Sequence, residues 1–208
     1  MNILRVIFED TNLIVVNKPA GQLVIPGRGE AEGKPLVDQV SSHIRKKAYV
    51  VHRIDRETSG LVAFAKDAKT HGELCALWEG REVAKTYLAW VLGKMEKKEG
   101  LLDYPLKAFG SGRMGVDPNG KPSQTRYRQV KTQGGATLLE VEPLTGRRHQ
   151  IRVHLYHAGH PVLGDPLYGQ ERPVGGAPRL LLHAYRLQIP REGIDLQLTC
   201  DPPPDFRL

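Results

Sequence analysis

The sequence predicts an α+β fold with a mixed, largely antiparallel central sheet and flanking helices. Short runs rich in β-branched and aromatic residues outnumber helical stretches along the 208 residues. The helices do not alternate regularly with those runs, as they would in a doubly wound parallel sheet. No internal repeat breaks the chain into copies of one unit.

In order along the chain, Ile3 to Phe8 and Leu13 to Val16 read as strands around the turn signal Glu9-Asp10-Thr11-Asn12. Lys18-Pro19-Ala20-Gly21 ends the second, and Pro26 to Pro35 reads as a flexible polar loop. Leu36 to Lys47 is expected to be helical, because its basic end suits the negative pole of the helix dipole. Leu61 to Ala65, an apolar run behind Gly60, reads as a buried strand. Asp67 is placed to cap a helix over Ala68 to Glu79. Val83 to Leu92 reads as a strand and Lys94 to Gly100 as a charged turn. Phe109 to Gln124, rich in Gly, Pro and Lys, reads as a mobile loop. Gln124 to Lys131, Ala136 to Pro143 and His149 to Leu155 follow as expected strands, with helical character only near His154 to His157. Leu180 to Ile189 and Ile194 to Cys200 are the closing strands.

Two clusters carry chemistry. The first, His52-Arg53-Ile54-Asp55-Arg56-Glu57-Thr58-Ser59-Gly60-Leu61, places one carboxylate between two arginines, ahead of a turn and a buried strand. A guanidinium nearby favours the ionised form of such a carboxylate. The second is Thr145-Gly146-Arg147-Arg148-His149-Gln150-Ile151-Arg152-Val153-His154-Leu155. Read as a strand, it sets Ile151, Val153 and Leu155 on one side and Gln150, Arg152 and His154 on the other. Those polar groups would either line a site or face water.

Together the clusters resemble the RluA family of RNA pseudouridine synthases, and the resemblance runs along most of the chain. Val15-Val16-Asn17-Lys18-Pro19-Ala20-Gly21 is similar to the family's N-terminal motif, His52 to Leu61 to its catalytic loop, and Lys85-Thr86-Tyr87 to the motif of its active-site tyrosine. Thr145 to His154 is similar to its C-terminal catalytic motif, and His160-Pro161-Val162-Leu163-Gly164-Asp165 and Leu181-Leu182-His183-Ala184 to further family stretches. The resemblance implies the pseudouridine synthase fold in a single catalytic domain over residues 1–208. The family's small S4 domain is expected to be absent, since the Asn17-Lys18-Pro19 motif begins almost at the N-terminus.

It also implies a reaction: the N1–C1′ bond of uridine breaks, the base rotates, and C5 joins C1′. Asp55 is implied as the essential carboxylate, Tyr87 as the active-site tyrosine, and Arg152 as the ion-pair partner of Asp55. Three roles are open to an ionised Asp55: attack at C1′, stabilisation of positive charge as the bond breaks, or removal of a sugar proton. Ile151 matches the apolar residue near the target base, and Arg53 the residue that fills the gap of a flipped base or holds the adjacent phosphate. His52 is placed with the RNA-binding residues, and Arg147, Arg148, Lys18, Lys85 and Lys121 are candidates for phosphate contact.

No cofactor is expected, because the isomerisation neither oxidises nor adds a group and the sequence holds no P-loop or metal motif. The net charge of +7 and the pI near 9.5 suit a polyanionic partner, here a structured RNA, an rRNA or tRNA stem-loop. Cys75 and Cys200 form no C-x-x-C pair, and no run approaches the roughly 20 apolar residues of a membrane span. A cytoplasmic monomer with no membrane partner is therefore expected. Two rival readings exist. One is a metal-dependent hydrolase using His149, His154, His157 and His160, although no H-E-x-x-H is present. The other is an RNA-binding module without catalysis, although every expected catalytic position is filled.

Overall fold

The computed structural model describes residues 4–27, 33–110, 112–169, 177–191 and 195–208. The chain forms two compact units: Met1–Ala84 with Ala184–Pro202, and Lys85–His183 with Pro203–Leu208. Ile3, residues 28–32 of the expected polar loop, Ser111 and Ile194 lie outside the described residues.

The first unit holds β1 (Arg5–Glu9), β2 (Leu13–Lys18), α1 (Leu36–Ile44), β3 (Tyr49–Val50), β4 (Ser59–Ala65) and α2 (Ala68–Glu79). Most of β11 (Leu182–Ile189) and β12 (Leu196–Thr199) complete it. Its strands lie in the order β1-β2-β4-β11, with β3 beside β4 and β12 beside β11. The pairs β1/β2, β2/β4, β3/β4 and β11/β12 run antiparallel. Strand β4 is buried along its whole length, which explains an apolar run without alternation. Leu13, Val15, Leu61, Ala63 and Ala65 pack against Leu74 of α2 and against Leu187 and Ile189 of β11. The Asp67 carboxylate accepts from the Thr70 amide at 2.8 Å and caps α2 as expected. Helix α1 stops at Ile44, short of the expected Lys47, because Arg45 turns left-handed (φ 54°) and the chain bonds back to the Ser41 carbonyl.

The second unit holds β5 (Ala84–Leu92), β6 (Glu99–Asp103), β7 (Leu106–Ala108), β8 (Met114–Val116), β9 (Gln124–Gln133), β10 (Ala136–Pro143) and α3 (Gln150–His157). Its strands lie in the order β5-β10-β9-β6, each neighbour antiparallel. Ala89, Val91, Leu139 and Val141 form a core with Ile151 and Leu155 of α3. No helix among the described residues is long and apolar enough to cross a membrane.

Two expectations are corrected here. Residues 109–124 are not a plain loop: β8 pairs with β7 in a hairpin, fastened where the Met114 amide donates to the Tyr168 hydroxyl at 2.8 Å. The segment from His149 to Leu155 is not a strand but the short helix α3. Residues Gln150 to Leu155 are all buried, so helical periodicity has no solvent face to reveal it. The alternation of apolar and polar residues reflects two kinds of buried neighbour, apolar core and hydrogen-bonding partner.

Candidate active site

In the first unit, Asp55 lies half-buried in the loop between β3 and β4. The Asp55 carbonyl accepts from the Thr58 amide at 3.2 Å, closing a turn directly after the carboxylate. Residue 56 is held from two sides: the Arg56 carbonyl accepts from the Gly21 amide and from Lys18 Nζ, both at 2.8 Å, while Arg56 Nε donates to the Gly21 carbonyl at 3.1 Å. Lys18 is fully buried and donates further to the carbonyls of Pro19 (2.9 Å) and Gln22 (2.8 Å). That removes it from the candidates for phosphate contact. A buried ammonium requires such acceptors, and here they tie the N-terminal motif to the Asp55 loop.

His52 anchors the same loop. Its Nε2 accepts from the Ala63 amide of β4 at 2.9 Å, which places its proton on Nδ1, and its ring stacks on Trp78 of α2 with centroids 4.8 Å apart. Arg53 is exposed. The loop enters β4 through Gly60, whose φ of +111° and close approach to Ala184 exclude a side chain.

In the second unit, Tyr87 sits half-buried on β5 beside the core that contains Ile151, and Lys85 is half-buried two residues earlier. The turn into α3 is held by Gln150. Its Oε1 accepts from the Thr145 hydroxyl (2.7 Å) and the Arg147 amide (3.0 Å), and its Nε2 donates to the Gln124 carbonyl (2.8 Å) and the Thr125 hydroxyl (3.0 Å). Gln150 is thus an interior knot rather than a site residue. His149 takes the left-handed conformation (φ 53°) at the start of α3, with Nδ1 2.8 Å from the Tyr168 hydroxyl. Arg147 is half-buried, with an Nε that finds no hydrogen-bond partner among the described residues, and Arg148 is exposed.

Arg152 is 1% exposed. Its Nε and Nη2 donate to Oδ2 and Oδ1 of Asp165, each at 2.8 Å, in a two-pronged pair. Burial raises the pKa of the Tyr168 hydroxyl, and the Tyr168 ring lies 5.2 Å from the Arg152 guanidinium.

The chain matches the model of the family described as RNA pseudouridylate synthase over residues 12–157. The chain belongs to this family. It is 40% identical over 210 residues to the dual-specificity RNA pseudouridine synthase RluA of Escherichia coli O6:H1, covering 98% of this chain and 94% of that protein. It is 37% identical over 207 residues to RluA of Salmonella typhi, with the same coverage. It is 40% identical over 200 residues to ribosomal large subunit pseudouridine synthase D of Nitrosomonas europaea, spanning 89% of this chain but 58% of that relative. Among solved structures, human RNA pseudouridylate synthase domain containing 1 superposes with a TM-score of 0.81 at 26% identity, over 97% of this chain and 84% of its own. The protein is therefore an RNA pseudouridine synthase, an isomerase with the α+β fold of its family.

Within this pseudouridine synthase the four histidines of the metal-hydrolase reading contact backbone carbonyls and tyrosines. His149 meets Tyr168, His154 Nε2 meets the Tyr104 carbonyl at 3.0 Å, His160 Nδ1 meets the Leu92 carbonyl at 2.9 Å, and His157 packs edge-on against Tyr104. Among the described residues no three His, Cys, Asp or Glu side chains are grouped to hold a metal. Sequence reasoning missed Asp165. The Gly164-Asp165 pair stood in a motif similar to the family's, but no local signal joined it to an arginine thirteen residues earlier.

Proposed function

We propose that Asp55 is the carboxylate that this synthase uses to break the N1–C1′ bond, with Arg152 as its counter-charge and Tyr87 beside the base. The whole chain is read as one catalytic domain. Asp55 suits the task because its loop is fixed by backbone bonds and by the buried Lys18, so little reorganisation accompanies the chemistry. Arg152 suits the task because a guanidinium stays charged in a buried place where an ammonium can lose its proton. Exposed Arg53 is the group we assign to the gap left when the uridine flips out, and Ile151 the apolar residue for the target base. Lys85, Arg147, Arg148 and Lys121 are left as the basic groups for phosphate contact.

The substrate we propose is a structured stem-loop in rRNA and tRNA, bound by a cytoplasmic monomer. The observation that carries this reading is the match over 94% of the length of relatives named dual-specificity RNA pseudouridine synthases. The test is a map of pseudouridines in total RNA from cells with and without the protein. Loss of sites in both rRNA and tRNA is expected. Loss in one class alone would reduce the reading to single specificity, and no loss in either would overturn the target assignment.

A further inference from the structure

We infer that Asp165 is a positioning residue for the reaction, acting by holding the Arg152 guanidinium in one plane and one edge orientation. The inference rests on the proposed role of Arg152 and goes one layer beyond it.

Asp165 is built for this. Its side chain is 0% exposed and that of Arg152 is 1% exposed. Oδ2 accepts from Arg152 Nε at 2.8 Å, and Oδ1 accepts from Arg152 Nη2 at 2.8 Å. Oδ1 also accepts from the amides of Leu167 (2.8 Å) and Tyr168 (3.0 Å). The carboxylate is thus pinned by backbone before it meets the arginine. The turn that carries it is fixed as well. Gly164 has φ +70°, and a Cβ there would collide with the Arg179 carbonyl oxygen, so the chain can pass only as glycine. Leu163 bonds on both sides of the turn, to the Trp90 carbonyl and from the Leu181 amide. The Tyr168 ring, three residues on, covers the guanidinium.

A guanidinium has two forked edges. Asp165 occupies the edge formed by Nε and one Nη2 hydrogen, which turns the opposite edge, with Nη1, towards other partners. An arginine without such a buttress would swing about its flexible stem. Asparagine at 165 keeps the shape, but if its oxygen retains the Leu167 and Tyr168 amides, its amino group faces Arg152 Nε–H, donor against donor. The guanidinium must then shift. Misplacement of a catalytic group by about 1 Å can cost on the order of 100-fold in rate.

The experiment is single-turnover pseudouridine formation with enzyme in saturating excess over a substrate RNA, so that only folded molecules set the rate. RNA affinity and melting temperature are measured alongside. Asp165→Asn is expected to slow the reaction about 100-fold while RNA affinity stays near wild type. Asp165→Glu keeps the charge but pushes the fork outward by about 1.5 Å, one C–C bond, and should fall between. Arg152→Met should be slow, and Arg152→Met/Asp165→Asn no slower, because one residue acts through the other. A wild-type rate in Asp165→Asn or Asp165→Glu would overturn the inference, as would multiplicative losses in the double variant. A wild-type rate in Arg152→Met would instead overturn the role of Arg152 itself. If Asp165→Asn does not fold, Asp165→Glu decides the matter by the same criterion.

Discussion

His154 shows how much a single side chain in this motif depends on its burial. It is fully buried, its Nε2 faces the Tyr104 carbonyl at 3.0 Å, and its Nδ1 has no hydrogen-bond partner among the described residues. Desolvation lowers its pKa below the ordinary 6.5, only partly opposed by the bond to Tyr104. The folded protein therefore holds this imidazole neutral, whereas the unfolded chain takes up a proton as pH falls through about 6.5. Unfolded molecules then bind more protons than folded ones, so stability drops on acidification from that point until the lowered folded pKa is passed. Urea titrations at pH 7.5 and pH 5.5 should show a lower midpoint at pH 5.5. His154→Gln, which cannot titrate, should lose most of that difference. Equal pH dependence in the two proteins would mean that His154 is not held neutral. Arg152 and Gln150 teach the complementary lesson: polar residues in a motif were legible from sequence, but their partners were not. Asp165, Thr145 and the Gln124 carbonyl are brought to them by the fold.

Among elements, legibility followed local signals. The Asp67 cap marked α2, which runs from Ala68 to Glu79 as the sequence indicated. The apolar run after Gly60 marked β4, and the strand expected over Ala136 to Pro143 is β10. Helix α3 misled because both its apolar and its polar residues are buried, which erases the amphipathic stripe. The β7/β8 hairpin was hidden because three-residue strands carry little propensity, and what secures it is long-range, Tyr168 with Leu106 and Val153. The junction of β4 with β11 supplies a prediction at this scale. At Gly60, where φ is +111°, a Cβ would collide with the Ala184 backbone. Gly60→Ala should therefore cost about 2–4 kcal/mol from strain and displaced strand contact together, read as a lowered urea midpoint. Gly146→Ala, where added volume meets nothing within 4 Å, is the control. Equal midpoints for the two variants would show that β4 and β11 are not packed this closely.

For the molecule as a whole, the net charge of +7 is the feature that speaks most directly to RNA. If about four phosphates are neutralised, log affinity for RNA should fall with log salt at a slope of about −3, or on the order of 100-fold for a fourfold rise in salt. A flat response would assign the charge some other purpose. The family, the fold class and the reaction were legible from motifs spread over the chain, and the comparisons bear them out over residues 12–157. The measurement that tests the central claim most directly is pseudouridine formation by purified Asp55→Asn beside wild type, on one RNA, with binding measured in the same samples. The amide keeps the size of the side chain and removes the charge on which the proposed role of Asp55 depends. The result expected is no turnover above a mock preparation, with RNA affinity within a few-fold of wild type. Sustained turnover by Asp55→Asn would contradict the account.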